Sequence, residues 1–229
     1  MPKSRIRVQD FLSNLPLFKN LDGEQIARLA MGTGELEAPR GTVVYQRGDP
    51  CNGLHVVVYG QIKLSLQTNR GDEMVVELIG PGTSFGDAPL FSGKPHILAA
   101  EALADSKLLY VTKEVLLDEL ERDPHFSQRV IAILSDRLYQ RLSELEGYFL
   151  HSGTERVVSY LLRGENGHPA GNFEQVTLPA TKGIIASRLN LTHEHFSRIL
   201  RELITAGLIE VDGREVRILN KKRLYGYAG

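Results

Sequence analysis

The stretch that most constrains this chain is Leu178–Leu208, LPATKGIIASRLNLTHEHFSRILRELITAGL. Its pattern predicts two short helices crossing at a steep angle: a first over Lys182–Leu189, a turn over Asn190–Thr192, and a second over His193–Ala206. Ala186 falls where the crossing leaves room for a small side chain only. Asn190 follows four residues later, where the turn wants positive φ, which Asn tolerates next best after Gly. Ile185, Leu189, Leu191, Phe196, Ile199, Leu200 and Leu203 supply one shared apolar face. Thr192 is a good N-cap, and Glu194 in the first turn suits the helix dipole. Small residue, turn residue and apolar positions agree at the spacing of a helix-turn-helix rather than of an ordinary helix pair.

The second helix would present His193, Glu194, Ser197 and Arg198 to a DNA groove. Arg can bond guanine bidentately, Glu can accept from the cytosine amino group, and Ser can bond either kind of partner. Glu194 and Arg198 are four apart and share a face, so a surface ion pair between them is also expected. Thr192 stands at the helix start. Lys182 and Arg201 flank the face and suit phosphates. His193 and His195 do not form a metal pair, because residues two apart on a helix point in nearly opposite directions.

At 229 residues the chain can bury a real core in one or two domains. Net charge is −1, which argues against an all-over nucleic-acid coat. The charge is uneven: residues 151–229 carry 11 Lys/Arg against 8 Asp/Glu, and the rest carries 16 against 20. The positive part holds the helix-turn-helix. The start, MPKSRIRVQDFL, lacks an apolar signal core, and no run approaches a membrane span, so a soluble cytoplasmic protein without membrane contact is expected. Cys51 stands alone. That excludes a disulfide framework, a CxxC zinc site and a four-thiolate iron–sulfur cluster within one chain.

Residues 9–31 read as helical, with Pro16 as an interruption and Asp22 capping a second start. From Leu36 to Val111 short β-rich runs alternate with turns: Thr42–Gln46, His55–Tyr59, Gln61–Leu66, Met74–Ile79, Ile97–Ala102 and Lys107–Val111. This even spacing predicts a β-roll or jelly roll. Asn69-Arg70-Gly71-Asp72 would be a hairpin tip, and Gly80–Asp87 an irregular loop at the mouth of the roll. A short helix over Glu114–Arg122 precedes a long one over His125–Leu150. Along the latter, Ile131, Leu134, Leu138, Leu142, Leu145 and Phe149 form one apolar stripe, and Phe126, Val130 and Ile133 form a second line. A matching helix of a second copy is the natural cover for the stripe, and it supplies the two-fold symmetry that paired half-sites require. Gly153 breaks this helix. A helix over Thr154–Arg163, a polar loop over Gly164–Gly171 and a strand over Gln175–Leu178 lead into the helix-turn-helix. Leu208–Val211 and Glu215–Leu219 flank Asp212-Gly213-Arg214 as a wing hairpin. Lys221, Lys222 and Arg223 end the pattern, either at phosphates or in solvent. The expected fold class is α+β: an N-terminal helical and β-roll sensor domain (1–122), a dimerisation helix (123–150) and a winged helix-turn-helix (151–229).

Roll, long helix and winged helix-turn-helix together resemble the cyclic-AMP-receptor/FNR family of bacterial transcription regulators, over about Phe11 to Leu224. The most specific motif is Glu194-His195-Phe196-Ser197-Arg198. In the FNR-like branch an E-x-x-S-R pattern on the recognition helix implies TTGAT half-sites in an inverted repeat. The cyclic-AMP receptor has an Arg before that Glu; here the residue is His193. The resemblance further implies a homodimer on double-stranded DNA that contacts RNA polymerase, to activate or to repress.

A cyclic-nucleotide pocket resembling the family's would carry F-G-E and, ten residues on, R-S-A. This chain has Phe85-Gly86-Asp87, then Ile97-Leu98-Ala99. The phosphate-clamping Arg has become Ile97, the Ser has become Leu98, and His96 is a poor substitute cation. An anionic phosphate would face an apolar wall, which argues against cyclic AMP. The oxygen-sensing cluster of FNR lacks its Cys ligands. The segments LSDRLYQRLSELE, TERVVSYLL and DGREVRILNKKRL look like the denitrification regulators of the family, which implies nitric oxide sensing through haem. His55, His96, His125 and His151 are ligand candidates by residue type alone, and a structural role is the simpler reading of each. Two other readings stay open: a cyclic-nucleotide-dependent regulator of the same family, and a cupin-like metalloenzyme. The latter would need a His-x-His inside the roll, where only His55 and His96 lie.

Overall fold

The computed structural model describes residues 7–67, 73–163 and 175–227. The expected hairpin tip at Asn69–Asp72 and the loop at Gly164–Gly171 lie outside the described residues. The chain divides into two compact units, residues 1–72 with 76–139 and residues 73–75 with 140–229.

The first unit opens with α1 (Val8–Ser13) and α2 (Gly23–Met31). Asp22 caps α2 as expected, in a reciprocal capping box with Gln25. Eight strands follow: β1 (Thr33–Ala38), β2 (Val43–Tyr45), β3 (Gly53–Tyr59), β4 (Ile62–Gln67), β5 (Glu73–Ile79), β6 (Ser84–Phe85), β7 (Ala99–Ala102) and β8 (Ser106–Thr112), with α3 (Asp87–Ser92) between β6 and β7. They form two four-stranded sheets, ordered β1-β8-β3-β6 and β2-β7-β4-β5. Strand alternation decides the layers. Val57 and Leu108 join Tyr45, Ile62, Leu64, Ile79, Phe85 and Ala100 in a core between the sheets. Leu54, Val56, Leu109 and Val111 face the other way, onto Leu12, Phe18, Leu29, Leu116 and Phe126.

Three features depart from the sequence expectations here. β1 lies between the expected helices and the first expected strand, in a stretch assigned to neither. It is a charged edge strand that pairs antiparallel with β8 from Thr33 to Ala38, and Lys107 on β8 reaches Glu35 at 2.6 Å and Glu37 at 3.8 Å. The loop expected over Gly80–Asp87 contains β6, which pairs with β3 (His55 opposite Phe85, Val56 opposite Ser84), and Asp87 opens α3 between left-handed Gly86 and Gly93. The strand expected from Ile97 begins at Ala99, leaving Ile97 66% exposed.

Then come α4 (Lys113–Arg122) and the long α5 (Pro124–Leu150). The Phe126–Val130–Ile133 line packs into the first unit's core, with Phe126 and Val130 buried. Along the other line Ile131, Leu138, Leu142, Leu145 and Phe149 are exposed in the single chain, while Leu134 is half-buried.

The second unit contains α6 (Gly153–Arg163), β9 (Gln175–Thr177), α7 (Lys182–Arg188), α8 (His193–Thr205), β10 (Ile209–Asp212), β11 (Glu215–Ile218) and α9 (Lys221–Tyr227). Ser152 and Glu155 cap the start of α6 reciprocally, so Gly153 begins this helix rather than lying in the break. β10, β11 and β9 make a three-stranded sheet in that order. The wing turns at Gly213, φ 57, where glycine is favoured. Lys221–Arg223 belong to α9, a helix the sequence reading left out. It buries only Leu224 and starts at Asn220, which accepts from the Arg223 amide.

Candidate nucleic-acid interface and effector region

The helix-turn-helix is assembled from the residues its sequence singled out. Ile185, Ala186, Phe196, Ile199, Leu200 and Leu203 are buried. Asn190 adopts φ 53, and the Leu191 amide bonds back to the Ala186 carbonyl at 2.9 Å, closing α7. Thr181 caps α7 and Thr192 caps α8, the latter accepting from the His195 amide at 3.2 Å. Thr192, His193, Glu194, Arg198 and Arg201 are exposed, and Ser197 is half-buried. Glu194, Ser197, Arg198 and Arg201 follow 3/4 spacing and so share one face of α8. Lys182 is half-buried at the first position of α7. The chain there runs beside the start of α8, since a Cβ on Gly183 would stand 3.8 Å from His193 Cδ2.

One expected pair changes. Arg198 directs its Nε to Glu202, at 3.8 Å, rather than to Glu194. Both side chains are mostly in water, so the pair is weak, and Arg198 is free to leave it for a base edge. Favourable charge order explains the choice poorly, because Glu N-terminal to a cation is the better arrangement. The side chain simply lies along the C-terminal direction of the exposed face.

In the roll, Phe85, Gly86 and Asp87 run from β6 into α3. Asp87 accepts from Arg137 Nη1 of α5, and Arg137 Nη2 donates to the Ser84 carbonyl at 3.2 Å and to Ser84 Oγ at 3.0 Å. Arg137 was missed in the sequence. Its signal was there: it continues the line 126, 130, 133 by four, a cation where an apolar residue was due. Ile97 is exposed and Leu98 is half-buried against the roll core. The motif carboxylate therefore already has a cation, and the positions 96–99 offer none for a phosphate.

His55 and His96 are buried inside the roll. His96 stacks on Tyr45 with ring centroids 3.6 Å apart, and His55 stacks on Phe85 at 5.1 Å and lies 4.9 Å from Tyr110. Burial, with His96 nearby, pushes the His55 imidazole down from 6.5 to about 4, and burial also lowers His96. Both are neutral near pH 7. Nδ1 of His55 has no hydrogen-bond partner. No histidine here is singled out as a haem ligand. Stacking engages the ring faces of both imidazoles and not their in-plane nitrogens, while His125 and His151 are exposed and no histidine lines the cavity of about 110 Å³ beside Leu15, Phe18, Val56, Ile133 and Arg137. Among the described residues no group of three His, Cys, Asp or Glu could hold a metal ion, and no helix is long and apolar enough to cross a membrane.

A helix-turn-helix with an open hydrogen-bonding face, on the same chain as a β-roll, defines a DNA-binding regulator with an effector-type domain. The comparisons agree. The cyclic nucleotide-binding domain matches residues 35–123, and the Crp-like helix-turn-helix domain matches residues 155–227. The structure of DNR from Pseudomonas aeruginosa is 30% identical, with 98% of this chain and 100% of that one covered and a TM-score of 0.53. FixK2 from Bradyrhizobium japonicum is 25% identical, covers 86% of this chain and 98% of its own, and has a TM-score of 0.75. The CRP-like cAMP-activated global transcriptional regulator of Mycobacterium tuberculosis is 23% identical, over 95% of this chain and 98% of that one. The chain belongs to the Crp/Fnr family of transcription regulators, which are not enzymes. That membership sets the cupin reading aside.

Proposed function

We propose that this chain is a homodimeric regulator that reads an inverted repeat of TTGAT-type half-sites under the control of an effector other than a cyclic nucleotide. The observation that carries the reading is the face of α8, where Glu194, Ser197 and Arg198 lie together within about one turn and Glu194 and Arg198 are exposed. Arg201, Lys182, Thr192 and His193 surround them as phosphate and edge contacts. The exposed stripe of α5, from Ile131 to Phe149, supports the two-fold pairing, since a second copy would cover it. On the family's pattern, the bound dimer then acts on RNA polymerase. Nitric oxide sensing through haem, which the resemblance implies, has no ligand assigned among these histidines.

Arg198→Ala is expected to weaken binding to a TTGAT repeat by about 1–3 kcal/mol per lost base contact, roughly 5- to 150-fold. Fluorescence anisotropy would read the affinity, and sedimentation should show an intact dimer. An unchanged preference for TTGAT over altered repeats would sink the assignment.

The effector reading has its own check. Cyclic AMP should leave the melting temperature of the purified protein unmoved. Binding at a hundred times Kd would add about 2.7 kcal/mol and a shift of several degrees. Such a shift would overturn the exclusion of a cyclic nucleotide.

A further inference from the structure

The recognition helix does not begin from a free turn. Its position is set from α6. Arg156 of α6 extends to the end of α7, where Nη1 donates to the Leu189 carbonyl at 2.7 Å and to the Asn190 carbonyl at 3.3 Å. These carbonyls stand at the C-terminal end of α7, where the helix dipole favours a cation. They belong to the two residues that precede Leu191 and the Thr192 cap. Gly153 lies one turn before Arg156 on the same face of α6. A Cβ on Gly153 would stand 3.0 Å from His195 Cε1 and 3.1 Å from Leu191 Cδ2. The first turn of α6 thus touches both sides of the Thr192 cap, the turn before it and the first turn of α8 after it.

We infer that this first turn of α6 is the seat of the recognition helix, and that Arg156 is a positioning residue for base reading. It touches no DNA itself. Its charge-assisted bonds to Leu189 and Asn190 fix the point from which α8 starts, and Gly153 leaves room for the His195 ring beside the seat. Bidentate base contacts from Arg198 tolerate little displacement, so loosening the seat should erode discrimination between sequences. Phosphate contacts are less directional and should persist.

The inference rests on the DNA-reading function but not on the TTGAT assignment. The test therefore starts with the wild-type chain selecting its own best duplex from a randomised pool. Failure to enrich any sequence would refute the DNA-reading function itself. Affinities for the selected duplex and for a scrambled one are then measured for the wild type, Arg156→Gln and Arg156→Lys, alongside thermal unfolding. Gln keeps a donor but loses the charge and the reach to two carbonyls. The expected result is a loss of at least about tenfold in the selected-to-scrambled ratio for Arg156→Gln. Arg156→Lys should recover part of that ratio, because Lys restores the cation at a carbonyl as a point charge. A ratio unchanged in both variants would overturn the inference. So would equal loss on both duplexes, which marks a purely structural arginine. If Arg156→Gln does not fold, the ratio for Arg156→Lys decides alone: a reduced ratio in the folded variant supports the seat, and an unchanged one overturns it.

Discussion

Arg28→Ala is expected to lower the urea midpoint of the first unit, because it breaks from one side an ion pair whose carboxylate is shielded from water. Glu119 of α4 has a side chain only 2% exposed, and Arg28 of α2 grips it with two bonds of 2.9 Å. Removing the guanidinium strands a carboxylate in the core. Gln25 still donates to Glu119 at 2.9 Å and Arg28 is itself 32% exposed, which limits the loss. The Arg28 bond holds the Glu119 carboxyl below its usual range. Its contribution is therefore present above the unfolded carboxylate value and is lost as pH falls through the folded one. Urea unfolding at pH 7 would read the effect. The double variant Arg28→Met/Glu119→Leu should regain much of the loss, since no charge is then left unpaired. A single variant as stable as the wild type would show that Glu119 finds another partner.

The second large effect is a dependence on pH. His55 titrates near 4 in the folded chain against 6.5 when unfolded. Between those values the unfolded chain binds a proton that the folded one refuses, so stability should fall as pH drops from about 6.5 towards 4, by about 3 kcal/mol in all. Lowering of His96 works in the same direction. Denaturant titrations from pH 8 to pH 4 would give the slope. In His55→Phe, which preserves a ring against Phe85, most of that slope should vanish between pH 5 and 6.5. An identical slope in the variant would place the acid sensitivity elsewhere.

What could be read from the sequence was mostly local. Ala186, Asn190 and Thr192 announce their geometry within a few residues, because a crossing, a left-handed turn and a cap each demand a particular side chain. The roll strands with apolar alternation, such as β3 and β8, were legible for the same reason. β1 was not, since TGELEA is mostly exposed and charged and gains its place by pairing with β8 and its Lys107, some seventy residues on. The Arg137–Asp87 contact is likewise a meeting of distant residues, and its sole local sign is a cation on an apolar line. Arg156 gave even less warning: its partners are backbone carbonyls, which no side-chain pattern records. Short α3 and α9 each bury one leucine, too little for periodicity to show.

The stripe from Leu138 to Phe149 on α5 also bears on how such a regulator responds to its own abundance. If two copies must first zip these side chains together, the concentration of competent reader rises with the square of chain concentration while dimers are scarce. Promoter occupancy then climbs more steeply than expression does. A copy that keeps the stripe but lacks a working α8 would sequester intact partners, so that one defective allele silences more than its share.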